Sequence, residues 1–226
     1  MSDSTSTALQ LITGNRTCSA DSLVPWLLLE AFELPYEEIR IDLFRSDAVE
    51  KLALFSPSLK VPVLIHGDIK VWDPLPICEY LSETFLENRA WPTNLKKKAA
   101  ARSVCGELHG DFIQFKQEWP MNCHLYQARK PSAALEKEIA RLDAIMSCCR
   151  NKYGDGGDFL FGHFSIADAF MAPFAIALDG YGAELTARAR DYVDFLLEQP
   201  HLQWWLEGAQ RELDDIRFAS RTGTAG

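Results

Sequence analysis

No apolar run in this 226-residue chain is long enough to span a bilayer, so a membrane helix is not expected. Its first residues, Met1 to Thr7, carry no basic and apolar signal pattern, and the expected location is the cytoplasm. Basic excess is missing too. Lysine and arginine number 23 against 32 acidic residues, a net charge of -9. Neutralising phosphates needs a positive surface, so neither nucleic acid nor an anionic membrane is an expected partner. The six cysteines (Cys18, Cys78, Cys105, Cys123, Cys148 and Cys149) form no C-x-x-C pair and no zinc-like spacing, and no metal is expected. Repeats and low-complexity segments are absent.

What is present is an ordinary globular composition, 47% apolar and 24% charged, in a chain of one or two domains. The first part alternates short apolar runs with helical patterns. Residues 8–12 read as a strand, and Asp21 or Ser22 can cap a helix reaching about Glu33. Tyr36 to Ile41 reads as a second strand, followed by a short helix near Asp47–Leu54. A third strand opens at Val61 and Pro62, turns at His66, Gly67 and Asp68, and returns as a fourth. A helix then starts at Asp73 and Pro74 and runs to about Leu86, giving the order β-α-β-α-β-β-α.

A polar, proline-broken linker over residues 88–94 divides a domain at 1–87 from one at 95–226, which reads as helix throughout. Val104, Leu108, Phe112, Phe115 and Trp119 form one amphipathic face. Leu135, Ile139, Leu142, Met146 and Cys149 form another. Gly154 to Asp158 is a turn, and Ser165 with Asp168 has the form of a capping box. A helix is expected over roughly Glu184–Leu197 and a last one after Pro200, with a disordered tail from Ser220. Cys78, Cys105 and Cys149 sit at apolar helical positions and read as buried thiols.

Three stretches together resemble the glutathione transferase superfamily. Lys60 to Leu64 (KVPVL) with Trp72 to Leu81 (WDPLPICEYL) is similar to that family's "VPVL…(E/Q/D)S-x-AI-x-YL" core. Phe159 to Asp168 (FLFGHFSIAD) resembles its C-terminal capping-box motif. Gly14 to Trp26 (GNRTCSADSLVPW) resembles the "GNRNYSSWSLRPW" opening of a bacterial serine-type, zeta-like subgroup. The resemblance implies a thioredoxin-like N-terminal domain that holds glutathione as co-substrate and an all-helical C-terminal domain that shapes the second-substrate pocket. It also implies a homodimer and a detoxifying transferase that joins the thiolate of glutathione to a small apolar electrophile.

Residue by residue, Pro62 matches the cis-proline position, and Val61 beside it would offer its backbone to the cysteinyl part of the tripeptide. Lys60 would meet a carboxylate, and Asp73 matches the acidic position facing the γ-glutamyl ammonium. Pro74 stands where the family has a serine whose N–H and hydroxyl bind the γ-glutamyl carboxylate, and proline has neither donor. A structural role for Asp73 and Pro74, as N-cap and first helical residue, fits the sequence equally.

Aligned on Pro25 and Trp26, Ser19 takes the position of the hydroxyl that stabilises the thiolate, with Cys18 just before it. Two alternatives stay open: a glutathione-dependent thiol reductase using Cys18, and a non-catalytic binding or assembly module of the same fold. Asp21 beside the loop would raise a neighbouring thiol's pKa. His109 and His124 are candidates to line the second-substrate pocket, and Trp119, Met121 and Tyr126 around Pro120 to form its apolar wall. Lys96 to Lys98 reads as a solvated face.

Overall fold

The computed structural model describes residues 8–222, with side chains to residue 213. The N-terminal half is a four-stranded sheet flanked by helices, in the order β1 (Leu9–Thr13), α1 (Ala20–Ala31), β2 (Tyr36–Arg40), α2 (Ala48–Phe55), β3 (Val63–His66), β4 (Ile69–Trp72) and α3 (Pro74–Phe85). Its strands lie in the order β2-β1-β3-β4. β1 runs parallel to β2 and antiparallel to β3, and β3 runs antiparallel to β4. The C-terminal half is helical: α4 (Leu95–Gly110), α5 (Ile113–Glu118), α6 (Ala133–Tyr153), α7 (Ile166–Gly180), α8 (Ala187–Leu197) and α9 (Pro200–Thr222). A thioredoxin-like β/α half followed by an all-α half is the architecture expected from the sequence.

α7 organises the packing. It is apolar on every side, and apart from Asp179 all its residues from Ile166 to Gly180 are buried. Such a helix belongs at the centre of a core. It packs against α1 of the first half and against α4 and α8 of its own. Its start is fixed by the capping box at Ser165 and Asp168. The Asp168 carboxylate accepts hydrogen bonds from the Leu160 N–H, the Ser165 N–H and hydroxyl, and the Tyr192 hydroxyl. Burial outweighs these donors and pushes that carboxyl up to about 6.

Several local expectations need correction. β3 begins at Val63 because Pro62, which follows a cis Val61–Pro62 bond, has no N–H for the ladder. α1 is capped at Ser19, not at Asp21 or Ser22, and ends at Ala31. The Ser22 hydroxyl instead accepts from the Gly14 N–H and from Ser19. The face from Val104 to Trp119 is not one helix. Phe112 takes a left-handed conformation (φ 60°) that separates α4 from α5, yet all five of its apolar residues stay buried. α8 starts at Ala187, three residues later than expected.

The segment joining the halves is polar in composition but not a free spacer. Ala90 and Trp91 are buried, and the Ala90 carbonyl accepts from the Ile166 N–H. The tail expected to be disordered from Ser220 is helical to Thr222, and residues 223–226 lie outside those described.

Candidate functional site

The loop from Gly14 to Ser19 joins β1 to α1 and is held by groups from both halves. Asn15 is buried, and its carbonyl accepts the Ser19 N–H at 2.9 Å while its side chain bonds the Leu43 N–H and Asp42. The Arg16 guanidinium lies over the rings of Trp26 and Trp205, at 4.8 and 5.2 Å, and pairs with Glu38 at 2.6 Å. From α9, the nearly buried Glu212 accepts from the Arg16 N–H, the Thr17 N–H and the Thr17 hydroxyl, and faces Arg40 at 3.3 Å. The Trp205 indole donates to the Arg16 carbonyl, and the Cys123 N–H to that of Thr17. The helical half thus clamps the loop that carries Cys18 and Ser19.

Ser19 is 8% exposed, and its hydroxyl donates to Ser22 at 2.7 Å. It caps α1 by position without a side-chain cap bond. Cys18 is exposed, but its thiol is pushed up, first by partial desolvation and then by the carboxylates of Glu212 and Asp42. The sequence pointed to Asp21 as the carboxylate acting on Cys18. Asp21 instead lines a cleft, where its own carboxyl is pushed up, first by desolvation and further by the Asp73 carboxylate, with His109, Lys116 and Lys60 opposing the rise.

That cleft has a volume of about 500 Å³ and lies between the two halves. It brings together Cys18, Ser19, Lys60 and Val61 from one side with His109, Phe115, Trp119 and Phe170 from the other. The size suits a small organic ligand. Val61 precedes the paired residues of β3, so its backbone is not part of the sheet's ladder. Pro62 and Pro74 are buried and do not line the cleft.

Asp73 has φ 78° and caps α3, its Oδ1 accepting from the Leu75 N–H at 3.1 Å. Its Oδ2 lies 3.1 Å from His109 Nε2. It does not line the cleft itself, but its partner His109 does. Of the apolar wall expected near Pro120, Trp119 and Met121 line the cleft, whereas Tyr126 points to solvent. His109 lines it as well. His124 does not, and holds the loop through Thr17 Oγ at 3.2 Å.

Glu212 and Trp205 carry no signal in the sequence, because Glu212 meets a residue 196 positions away. Lys116 was hidden in an amphipathic pattern, and its Nζ donates to the Leu108 and His109 carbonyls while desolvation lowers its pKa. Among the described residues, no group of three or more His, Cys, Asp or Glu is placed to hold a metal, and no helix is long and apolar enough to cross a membrane.

Comparison with known proteins adds the following. The family model for the glutathione S-transferase N-terminal domain matches residues 15–83, and that for the C-terminal domain matches residues 132–208. Glutathione S-transferase 1 of Dianthus caryophyllus is 29% identical over 160 residues, 67% of this chain and 70% of that protein. A stringent starvation protein A homolog of Coxiella burnetii is 24% identical over 191 residues, 79% of this chain and 85% of that protein. A crystal structure of a glutathione transferase homolog from Burkholderia GL BGR1, with bound glutathione, has a TM-score of 0.67 at 21% identity. That match covers 90% of this chain and 99% of the other, and at such identity it speaks to the fold alone.

Proposed function

Because the chain belongs to the glutathione transferase superfamily, we propose that the cleft binds glutathione and joins its thiolate to a small apolar electrophile. One observation carries this reading. A single cavity sets Ser19 and Val61 opposite the rings of Phe115, Trp119 and Phe170. The backbone of Val61 is the edge along which an extended peptide can lie, and Lys60 beside it meets a carboxylate. The aromatic side receives the electrophile.

Ser19 is the proposed thiolate stabiliser. In the free protein its hydroxyl proton goes to Ser22. With glutathione bound, the hydroxyl turns and donates to the ligand sulfur, exchanging a bond between neutral groups for a stronger one to an anion. The thiol proton leaves to solvent. The sulfur lone pair then forms the S–C bond as the leaving group departs with its electron pair. The serine-type, zeta-like assignment, the homodimer and the cytoplasmic location are parts of the same proposal.

Cys18 is the weaker candidate, since desolvation and two carboxylates hold its thiol up and deplete the thiolate a reductase needs. One observation favours a non-catalytic binding module: Pro74 removes both donors that would hold the γ-glutamyl carboxylate.

Calorimetric titration separates these readings. Saturable binding of glutathione below millimolar concentration is expected, and no binding at millimolar ligand would sink the transferase. If glutathione binds, conjugation to an aryl halide is assayed in Ser19→Ala and Cys18→Ala. Loss with the first alone supports the transferase; loss with the second alone assigns the chemistry to Cys18.

A further inference from the structure

Pro74 leaves the glutathione reading with an unmet requirement, and the contact between α3 and α4 bears on it. The γ-glutamyl end of the tripeptide is an α-amino-acid head, with a carboxylate and an ammonium on one carbon. At the start of α3, Asp73 and His109 present the opposite pair side by side, Oδ2 and Nε2 3.1 Å apart. Both side chains are partly exposed, at 40% and 32%, so a ligand can reach each of them. His109 also lines the cleft. Resting on the glutathione reading above, we propose that His109, together with Asp73, reads this zwitterionic head, His109 supplying the carboxylate contact that Pro74 has lost.

The exchange is balanced. In the free protein one bond joins the pair, from His109 Nε2–H to Asp73. On binding, the ligand ammonium takes the Asp73 oxygen and the ligand carboxylate takes the imidazole N–H. One charge-assisted bond becomes two. Asp73 keeps its other oxygen on the Leu75 N–H, so the start of α3 is undisturbed.

The surroundings suit such a head. Asp21 on α1 is the other carboxylate facing His109, and it is offset by Lys116 on α5 and by Lys60. The Lys116 ammonium is fixed beside the same turn by the Leu108 and His109 carbonyls. The Phe170 ring on α7 adds an apolar contact, meeting the imidazole edge to face at 5.9 Å. A serine at residue 74 is therefore not the only way for this fold to hold the carboxylate.

The test compares two ligands by calorimetry: glutathione, and 4-aminobutyryl-cysteinylglycine, which lacks only the α-carboxylate. Wild-type protein is expected to prefer glutathione by about tenfold, and His109→Ala to bind the two alike. His109→Gln, which retains an N–H donor, should restore part of the preference. An undiminished preference in His109→Ala overturns the proposal while leaving glutathione binding in place. Equal affinity of the wild type for both ligands overturns it as well, without need of a folded variant. Failure of the wild type to bind glutathione at all overturns the reading on which it rests.

Discussion

Two helices begin beside the cleft, and they treat their first turns in opposite ways. α1 starts at Ser19 with no side-chain cap, the serine hydroxyl being turned sideways to Ser22. α3 starts at Asp73, whose carboxylate caps the Leu75 N–H, and its first residue is a proline with no N–H to satisfy. Every helix start has orphan amides that need partners. A start that satisfies them internally keeps nothing for a ligand, whereas an uncapped start has donors to give. By this measure the α1 end of the cleft keeps more hydrogen-bonding capacity than the α3 end, although the Ser19 and Ala20 N–H groups already donate to the Asn15 and Cys18 carbonyls. The α3 end is capped internally, and in the proposal above its ligand contact comes from His109 on another helix.

Removing the donor at the α1 end should produce the largest change. Ser19→Ala is expected to lower kcat/KM for conjugation by about a hundredfold, the scale of losing one preorganised donor to a developing or resident anion. Affinity for glutathione should change far less, because the peptide contacts at Val61 remain. Steady-state kinetics with an aryl halide, alongside calorimetry, separates the two. A fall in affinity with unchanged kcat would mean that Ser19 only shapes the loop.

The converse experiment gives the α3 end what it lacks. Pro74→Ser restores an N–H and a hydroxyl at the first helical position and should tighten glutathione binding by about tenfold. Thermal unfolding should move little, since Asp73 still caps the helix. An unchanged Kd would show that the head of the tripeptide does not lie at this helix start.

These two ends differ in how far the sequence reveals them. At the α3 end the sequence is legible, because Asp73 and Pro74 act on their own helix and their effect is local. The capping box at Ser165 is legible for the same reason, being set by residues three apart in the chain. The cis bond before Pro62 follows instead from the family resemblance, and the strand order rests on the distant pairing of β1 with β3. At the α1 end only Ser19 and Cys18 show themselves. What holds them comes from the far end of the chain, Glu212 and Trp205, and from Cys123 and His124 in the segment after α5. No spacing rule links residues that meet only after the two halves dock. The break at Phe112 was hidden differently, since its apolar spacing continues unchanged through a backbone that does not.

A smaller effect divides the two roles of Asp73. Asp73→Asn keeps an oxygen for the Leu75 N–H, and asparagine caps helices about as well as aspartate, so stability should hold to within about 0.5 kcal/mol. The negative charge facing the ligand ammonium is gone, and glutathione should bind about fivefold more weakly. Paired denaturation and calorimetry read both. A variant that loses stability but not affinity would make Asp73 a cap and nothing more.

The smallest change returns to the α1 end and asks what Glu212 does there besides holding the loop. Its carboxylate is one of two that hold the Cys18 thiol up, after desolvation. A raised thiol pKa means less thiolate at any given pH, so Cys18 should alkylate more slowly than an ordinary exposed cysteine. Glu212→Gln removes the charge and keeps one acceptor oxygen, enough for the N–H of Arg16 or of Thr17, which bond different carboxylate oxygens, but not for both. The pH profile of Cys18 alkylation should therefore shift downward, yet not as far as that of a free thiol, because the desolvation remains. Cys148 is also exposed, so peptide mass spectrometry must separate the two sites. An unmoved profile would show that Arg40 already neutralises Glu212. The carboxylate would then serve the uncapped helix start only by fixing its approach, and the difference between the two ends would rest on hydrogen bonding alone.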